Sequence, residues 1–169
     1  QIVRIDSGHT MRELLDSLAK FKLQLPWATY VGGPEAPRPG DEMEVSLTLT
    51  PGEYVMVCFI SGADHVPHVM KGMALPLSVT ASSATPITEG PPADVQIELR
   101  EYALDITPAL EAGPHTVRVV NSGRALHHVA LARLAPGHTA ADFLAWARDQ
   151  RGVPPGELIG GTTALSPGM

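Results

Sequence analysis

Apolar and polar positions alternate with period two over several short stretches of this chain. Met43, Val45, Leu47 and Leu49 alternate with Glu44, Ser46 and Thr48, the pattern of a half-buried strand. Residues 53–60 form a continuous β-branched and aromatic run, which predicts a central strand covered on both sides. Further strands are predicted over residues 2–5, 75–79, 95–99, 116–120 and 129–134, with residues 102–108 irregular. Turns are expected at Pro51-Gly52, Glu111-Ala112-Gly113 and Asn121-Ser122-Gly123. Helical periodicity shows at two places. Met11, Leu14, Leu15 and Leu18 share one helical face, and Phe143, Leu144 and Ala147 share another beside Trp146. Thr10 with Glu13, and Thr139 with Asp142, predict a capping box at the start of each helix, with Pro26 and Pro154-Pro155 closing the two segments.

The two helical segments belong to a repeat. Arg4, Gly8-His9-Thr10, Gly32-Gly33 and Pro39-Gly40 correspond to Arg133, Gly137-His138-Thr139, Gly160-Gly161 and Pro167-Gly168. A single one-residue gap aligns all four landmarks, which marks an internal repeat of strand, capped helix and glycine loops. Residues 81–93, rich in Ser, Thr and Pro, read as a linker. The expected organisation is therefore residues 1–80, a linker over 81–93, and residues 94–169.

Composition narrows the class. At 169 residues the chain makes one large domain or two small ones. Its net charge of −6 argues against a nucleic-acid partner, which needs a basic face. The 16 Gly and 16 Pro favour a turn-rich, all-β fold over a helical bundle. No run of about 18 apolar residues is present, so no membrane span is expected. Cys58 is the single cysteine, which rules out an internal disulfide and a multi-cysteine zinc site.

The stretch 51–79 carries the candidate chemistry. A strand delivers Cys58 to a loop holding His65, His68, Met70 and Met73, after which the chain returns as a strand. A thiolate, an imidazole and a thioether on one loop are the donor types of a mononuclear copper electron-transfer site. His68, in a His-x4-Met spacing with Met73, is the favoured imidazole, and His65 is the alternative. Met70 reads as a surface hydrophobe, and His9 and His138 read as neighbours of the helix caps.

Pro51-Gly52-Glu53-Tyr54, Cys58 and His68-Val69-Met70-Lys71-Gly72-Met73 together resemble the cupredoxins, the blue copper proteins. The nine residues between Cys58 and His68 make this loop longer than in plastocyanin-like members. The family's first histidine follows an Asn-x-Gly turn. Here Asn121-Ser122-Gly123 precedes His127, with His128 as the alternative. The resemblance implies a Greek-key β-sandwich with a short inserted helix per repeat. It also implies copper held by Cys58, His68, Met73 and His127, electron exchange with a redox partner protein, and a periplasmic or extracellular location.

The order of the halves is unusual. The late half, with Cys58, comes first, and the early half, with His127, comes second. Either the chain is a window on a tandem protein, or the halves pack as one permuted or swapped domain. The repeated segment counts against permutation, because two copies cannot fill one slot, and strands lacking partners would favour a homo-oligomer or domain swap. Three functions compete. Electron transfer leads. Copper storage or delivery, or a metal-free interaction module, is the alternative. A copper oxidase or nitrite reductase is disfavoured, because Cys58 is flanked by Val57 and Phe59 and no His-x-His pair exists.

Overall fold

The computed structural model describes residues 1–81, 91–149 and 151–169. Nine strands and two helices run in the order β1 (Ile2–Ile5), α1 (Met11–Leu18), β2 (Ala28–Gly32), β3 (Gly52–Val57), β4 (Ala74–Val79), β5 (Val95–Arg100), β6 (Ala103–Thr107), β7 (Val117–Asn121), β8 (His127–Leu134), α2 (Ala140–Asp149) and β9 (Gly156–Leu165). They form a six-stranded sheet, β4-β3-β1-β2-β9-β8, and a three-stranded sheet, β6-β5-β7. The protein is mostly β with two sheets and few helices, compatible with a sandwich. Among the described residues no helix is long and apolar enough to cross a membrane.

The two copies of the repeated segment take the same backbone pattern. In the first unit Ile2 pairs with Gly32, Val3 with Tyr30, Arg4 with Thr29 and Ile5 with Ala28, with a register shift between Ile2 and Val3. In the second, Leu131 pairs with Gly160, Ala132 with Leu158, Arg133 with Glu157 and Leu134 with Gly156, with the shift at the matching place. Both capping boxes form: Thr10 N–H donates to Glu13 and Thr139 N–H to Asp142, each at 2.7 Å. The loop contacts repeat as well, with Asp6 N–H donating to Trp27 O at 2.9 Å and Ala135 N–H to Pro155 O at 3.0 Å.

The two units meet edge to edge. β2 and β9 run antiparallel with Val31 opposite Leu165, so β1-β2-β9-β8 has a pseudo-two-fold axis at its centre. The amide of Gln1 reinforces the seam, donating to Gly32 O at 3.2 Å and Ala164 O at 3.1 Å. The approach is close at Gly32, where an added Cβ would lie 2.9 Å from Leu165 Cδ2.

The units differ in what covers them. In the first, α1 lays Leu14 and Leu18 on Val3, Ile5, Ala28 and Tyr30, and β3 adds Val55 and Val57, all in one buried cluster. In the second, Val129 and Leu165 instead pack with Ile97 and Leu99 of the small sheet. α2 buries none of its described side chains.

Several expectations change. Residues 42–50 keep the expected alternation, with Met43, Val45, Leu47 and Leu49 half-buried and their neighbours exposed. They form no ladder, because among the described residues no strand lies alongside to take their backbone bonds. The run 53–60 yields a strand only to Val57; Phe59 and Ile60 are exposed in the following loop. Residues 102–108, expected irregular, contain β6, which forms a hairpin on β5 through a turn at Tyr102 (φ 62°). The second glycine pair, expected in a loop, lies within β9. The expected linker falls largely outside the described residues, at 82–90.

Two predictions follow from this architecture. An added Cβ at Gly161 (φ 130°) would collide with Val129 O, so Gly161→Ala is expected to lower stability by about 2 kcal/mol in urea denaturation. At the start of β5, Asp94 accepts from Thr116 N–H at 2.7 Å and holds His115 Nδ1 at 2.6 Å. The other ring nitrogen lies 2.9 Å from Glu111 O. The hydrogen bond to Asp94 raises the His115 value above its ordinary 6.5, and the same bond lowers Asp94 below its ordinary 3.8. The clasp is therefore complete between those two ordinary values. It fades as pH rises through the raised imidazole value, and as pH falls through the depressed carboxylate value. Asp94→Asn should destabilise more at about pH 6 than at about pH 9 when melting is followed at both.

Candidate metal centre

β3 is held between β1 and β4, with Val55 opposite Val3 on one side and Pro76 on the other. Its end carries Cys58 out of the sheet, and the backbone ladder with the returning chain continues past it. Cys58 N–H donates to Met73 O at 3.2 Å, and Val69 N–H donates to Cys58 O at 2.8 Å. His68 N–H donates to Ile60 O at 2.8 Å. Residues His68–Lys71 form one 3-10 turn, closed by Gly72 in the left-handed region (φ 91°). Val69 is 3% exposed and pins this turn to the core cluster of α1 and β3.

These constraints bring His68 onto Cys58. Cys58 Sγ and His68 Nδ1 are 3.7 Å apart, and both residues are half-buried. The loop tip is braced by Asp64, which takes Lys71 Nζ at 2.8 Å and Val66 N–H at 3.2 Å. The Lys71 hydrogen bond holds the Asp64 carboxyl below the usual carboxylate range. Met73 is tied to Cys58 through its carbonyl and is 58% exposed. His65 sits at the tip with φ 58°, exposed and away from the Cys58–His68 pair in its hydrogen bonding.

His127 does not join this group. Three strands, β1, β2 and β9, separate β3 from β8, a lateral distance of about 19 Å at the usual strand spacing. The chain of antiparallel pairings makes β8 parallel to β3, and the registers place His127 within a few residues of the Met56 row, so the separation runs across the strands rather than along them. Of the expected ligands Cys58, His68, Met73 and His127, the structure brings Cys58 and His68 together on the loop that Met73 closes and sets His127 on a strand across the β2–β9 seam. The physical reason is the β2–β9 seam, which sets the two units side by side instead of face to face. His128 follows His127 on the same strand and is exposed.

His127 belongs to a different local structure. Asn121 is fully buried and organises the turn before it. Its side-chain amide donates to Ala125 O at 2.9 Å and to Leu165 O at 2.8 Å, and its Oδ1 accepts from Gly123 N–H at 2.9 Å. Glu101, which the sequence reading passed over, accepts from Arg124 and Ala125 N–H and lies 3.8 Å from His127 Nε2. The Arg124 N–H bond chiefly holds its carboxyl below the usual range. Its sequence signal is slight: one acid at the tip of a hairpin.

His9 stacks on Trp27 with ring centroids 4.3 Å apart, and Nδ1 is 3.7 Å from Glu13. His138 has the equivalent place, 4.0 Å from Asp142. Among the described residues no group of three His, Cys, Asp or Glu side chains converges on a point. Comparison with protein-family models, curated proteins and solved structures finds no match to this chain.

Removing the Asn121 side chain would strand Gly123 N–H and Leu165 O in a buried turn. Asn121→Ala is expected to cost about 2 kcal/mol in thermal or urea unfolding, with Asn121→Asp recovering only part of it.

Proposed function

We propose that this chain is a copper-binding electron-transfer protein of the cupredoxin type, working in the periplasm or outside the cell. The observation that carries the reading is the Cys58–His68 pair. Metal bonds of about 2.3 Å to sulfur and about 2.0–2.1 Å to nitrogen at a tetrahedral angle would set two donors about 3.5–3.6 Å apart. The 3.7 Å between Sγ and Nδ1 fits that separation. The donor set fits copper in particular: thiolate and imidazole suit both of its common oxidation states, and a thioether would serve as a weak further donor. Cys58 and His68 would hold the ion, with Met73, whose carbonyl is bonded to Cys58 N–H, as the candidate thioether donor. Copper supplies a one-electron couple when bound. The protein fixes the donors through Val69 and the backbone ladder, which limits rearrangement between the two states.

The repeat adds support. Gln1 exchanges backbone hydrogen bonds with Val57, at 2.9 and 3.1 Å, so the start of β1 runs beside Cys58. In the second unit the equivalent residue is Ala130, and His127 and His128 come just before it. The strand edge facing Cys58 is thus the edge that carries a histidine pair in the other unit. Apolar side chains exposed around the loop, among them Phe59, Val66 and Met70, offer a redox partner protein a dry contact.

A second reading, a metal-free interaction module, draws on the unpaired extended segment 42–50 and the free edge of β8.

Copper titration separates the two. Added Cu(II) is expected to give an intense visible thiolate-to-copper band that vanishes in Cys58→Ser and weakens sharply in His68→Ala. His127→Ala should leave it unchanged. A colourless complex, or a band that survives Cys58→Ser, would overturn the proposal.

A further inference from the structure

Equivalent faces of the two units are covered to very different degrees. In the first unit Ile5 is 6% exposed and Tyr30 2%; their equivalents in the second, Leu134 and Leu158, are 36% and 37% exposed. Leu144, equivalent to the half-buried Leu15, is 63% exposed. The side chains that seal the first unit are Val55, Val57 and Val69, from β3 and the turn that follows it. Nothing among the described residues takes their place in the second, where β8 is the end of the sheet.

The backbone edge is bare in the same way. Gln1 turns its N–H toward β3. The equivalent Ala130, and with it the alternate residues Ala132 and Leu134, therefore turns its amide to the outside. The turn at Gly40 that lies between β2 and β3 in the first unit has a counterpart in the second: Asp41 N–H donates to Arg38 O at 2.9 Å and Met169 N–H to Ser166 O at 3.1 Å. Gly168 N–H donates to Asn121 O at 2.8 Å and Asn121 N–H donates to Met169 O at 2.6 Å. Gly168 is the counterpart of Gly40, with φ 81° against 90°.

We propose that the free edge of β8 and the apolar face formed by Leu134, Leu144 and Leu158 are a docking site for a β-hairpin with the chemistry of residues 52–79. The occupant needs a strand that points valines inward at alternate positions, as Val55 and Val57 do, and a following turn that tucks a third apolar residue under the helix, as Val69 does. This goes beyond the copper reading and does not rest on it. A second β8 pairing edge to edge would satisfy the amides. It would bring no turn to cover Leu144, and it would set two strands bearing His127, His128 and Arg133 against each other.

The test is to titrate the intact chain with a synthetic peptide of residues 42–80 carrying Cys58→Ser. In a second format the same 39 residues (42–80 inclusive) are fused directly behind Met169, at the spacing the repeat dictates. Saturable binding is expected, with amide exchange at Ala130, Ala132 and Leu134 slowed roughly tenfold or more, the protection an added ladder gives. The double variant Leu134→Thr, Leu158→Thr should weaken peptide binding by a similar factor while lowering the parent's melting temperature only slightly, because Thr keeps strand preference and both side chains are already partly in water. The fusion should show the same protection and a higher melting temperature than the parent. Failure of both formats to protect these amides would overturn the proposal. So would protection confined to β1, which would mean exchange with the chain's own hairpin, or concentration-dependent protection of β8 without peptide, which would mean self-pairing.

Discussion

The antiparallel junction of β2 and β9 is the contact on which the rest of this structure depends. It is short, with Val31 opposite Leu165 in the ladder. Polar groups on both sides extend it: Thr162 Oγ1 donates to Gly33 O at 3.2 Å, Ser166 N–H to Tyr30 O at 2.8 Å, and Tyr30 N–H to Ser166 Oγ at 2.9 Å. Such a seam needs backbones that approach without side chains between them. The glycine pairs provide this, and Gly32 stands where any Cβ would press on Leu165. Because the junction is antiparallel, it relates the units by a two-fold operation. It thereby sets the cysteine loop and the histidine pair on opposite sides of the seam, four strand positions apart.

That arrangement explains why the two units, alike in backbone, differ in burial. The first is closed on one side by β3, β4 and the turn at Val69, and these same elements position the thiol and imidazole. The packing that completes the hydrophobic cluster is also what brings His68 to Cys58, since Val69 and its neighbour His68 enter together. In the second unit the helix is capped in the same way but lies over a face with no such lid. Its leucines stay in water, and its stability comes from the small sheet on Val129 and Leu165. A helix with a sound capping box and no buried side chain shows that a cap fixes where a helix starts, whereas tertiary packing decides whether it is sealed.

Much of the local structure was legible. Both helices begin at Thr10 and Thr139, where cap and acid stand three residues apart. The repeat read from four landmarks corresponds to two ladders of matching register that share a shift at the equivalent place. The nearness of Cys58, His68 and the Met73 backbone was readable because all three sit on one loop between adjacent strands, where sequence separation limits distance. The alternation at residues 42–50 was read as a strand, and its burial does alternate. The ladder is missing because pairing requires a neighbour, which period-two patterning does not supply. β6 was missed for the opposite reason. All five of its residues are exposed, so it carries little burial signal, and it exists because β5 presents an edge to it.

The sequence by itself determined the all-β character, the capped helices, the repeat and the donor types of the Cys58 loop, since each is set by residues close in the chain or by a pattern with a fixed period. Only the tertiary structure decided that the two units join through β2 and β9. It therefore also decided that His127 lies about 19 Å or more from Cys58 across the sheet. Which edge meets which depends on where glycines let two distant backbones touch, and neither periodicity nor spacing encodes that.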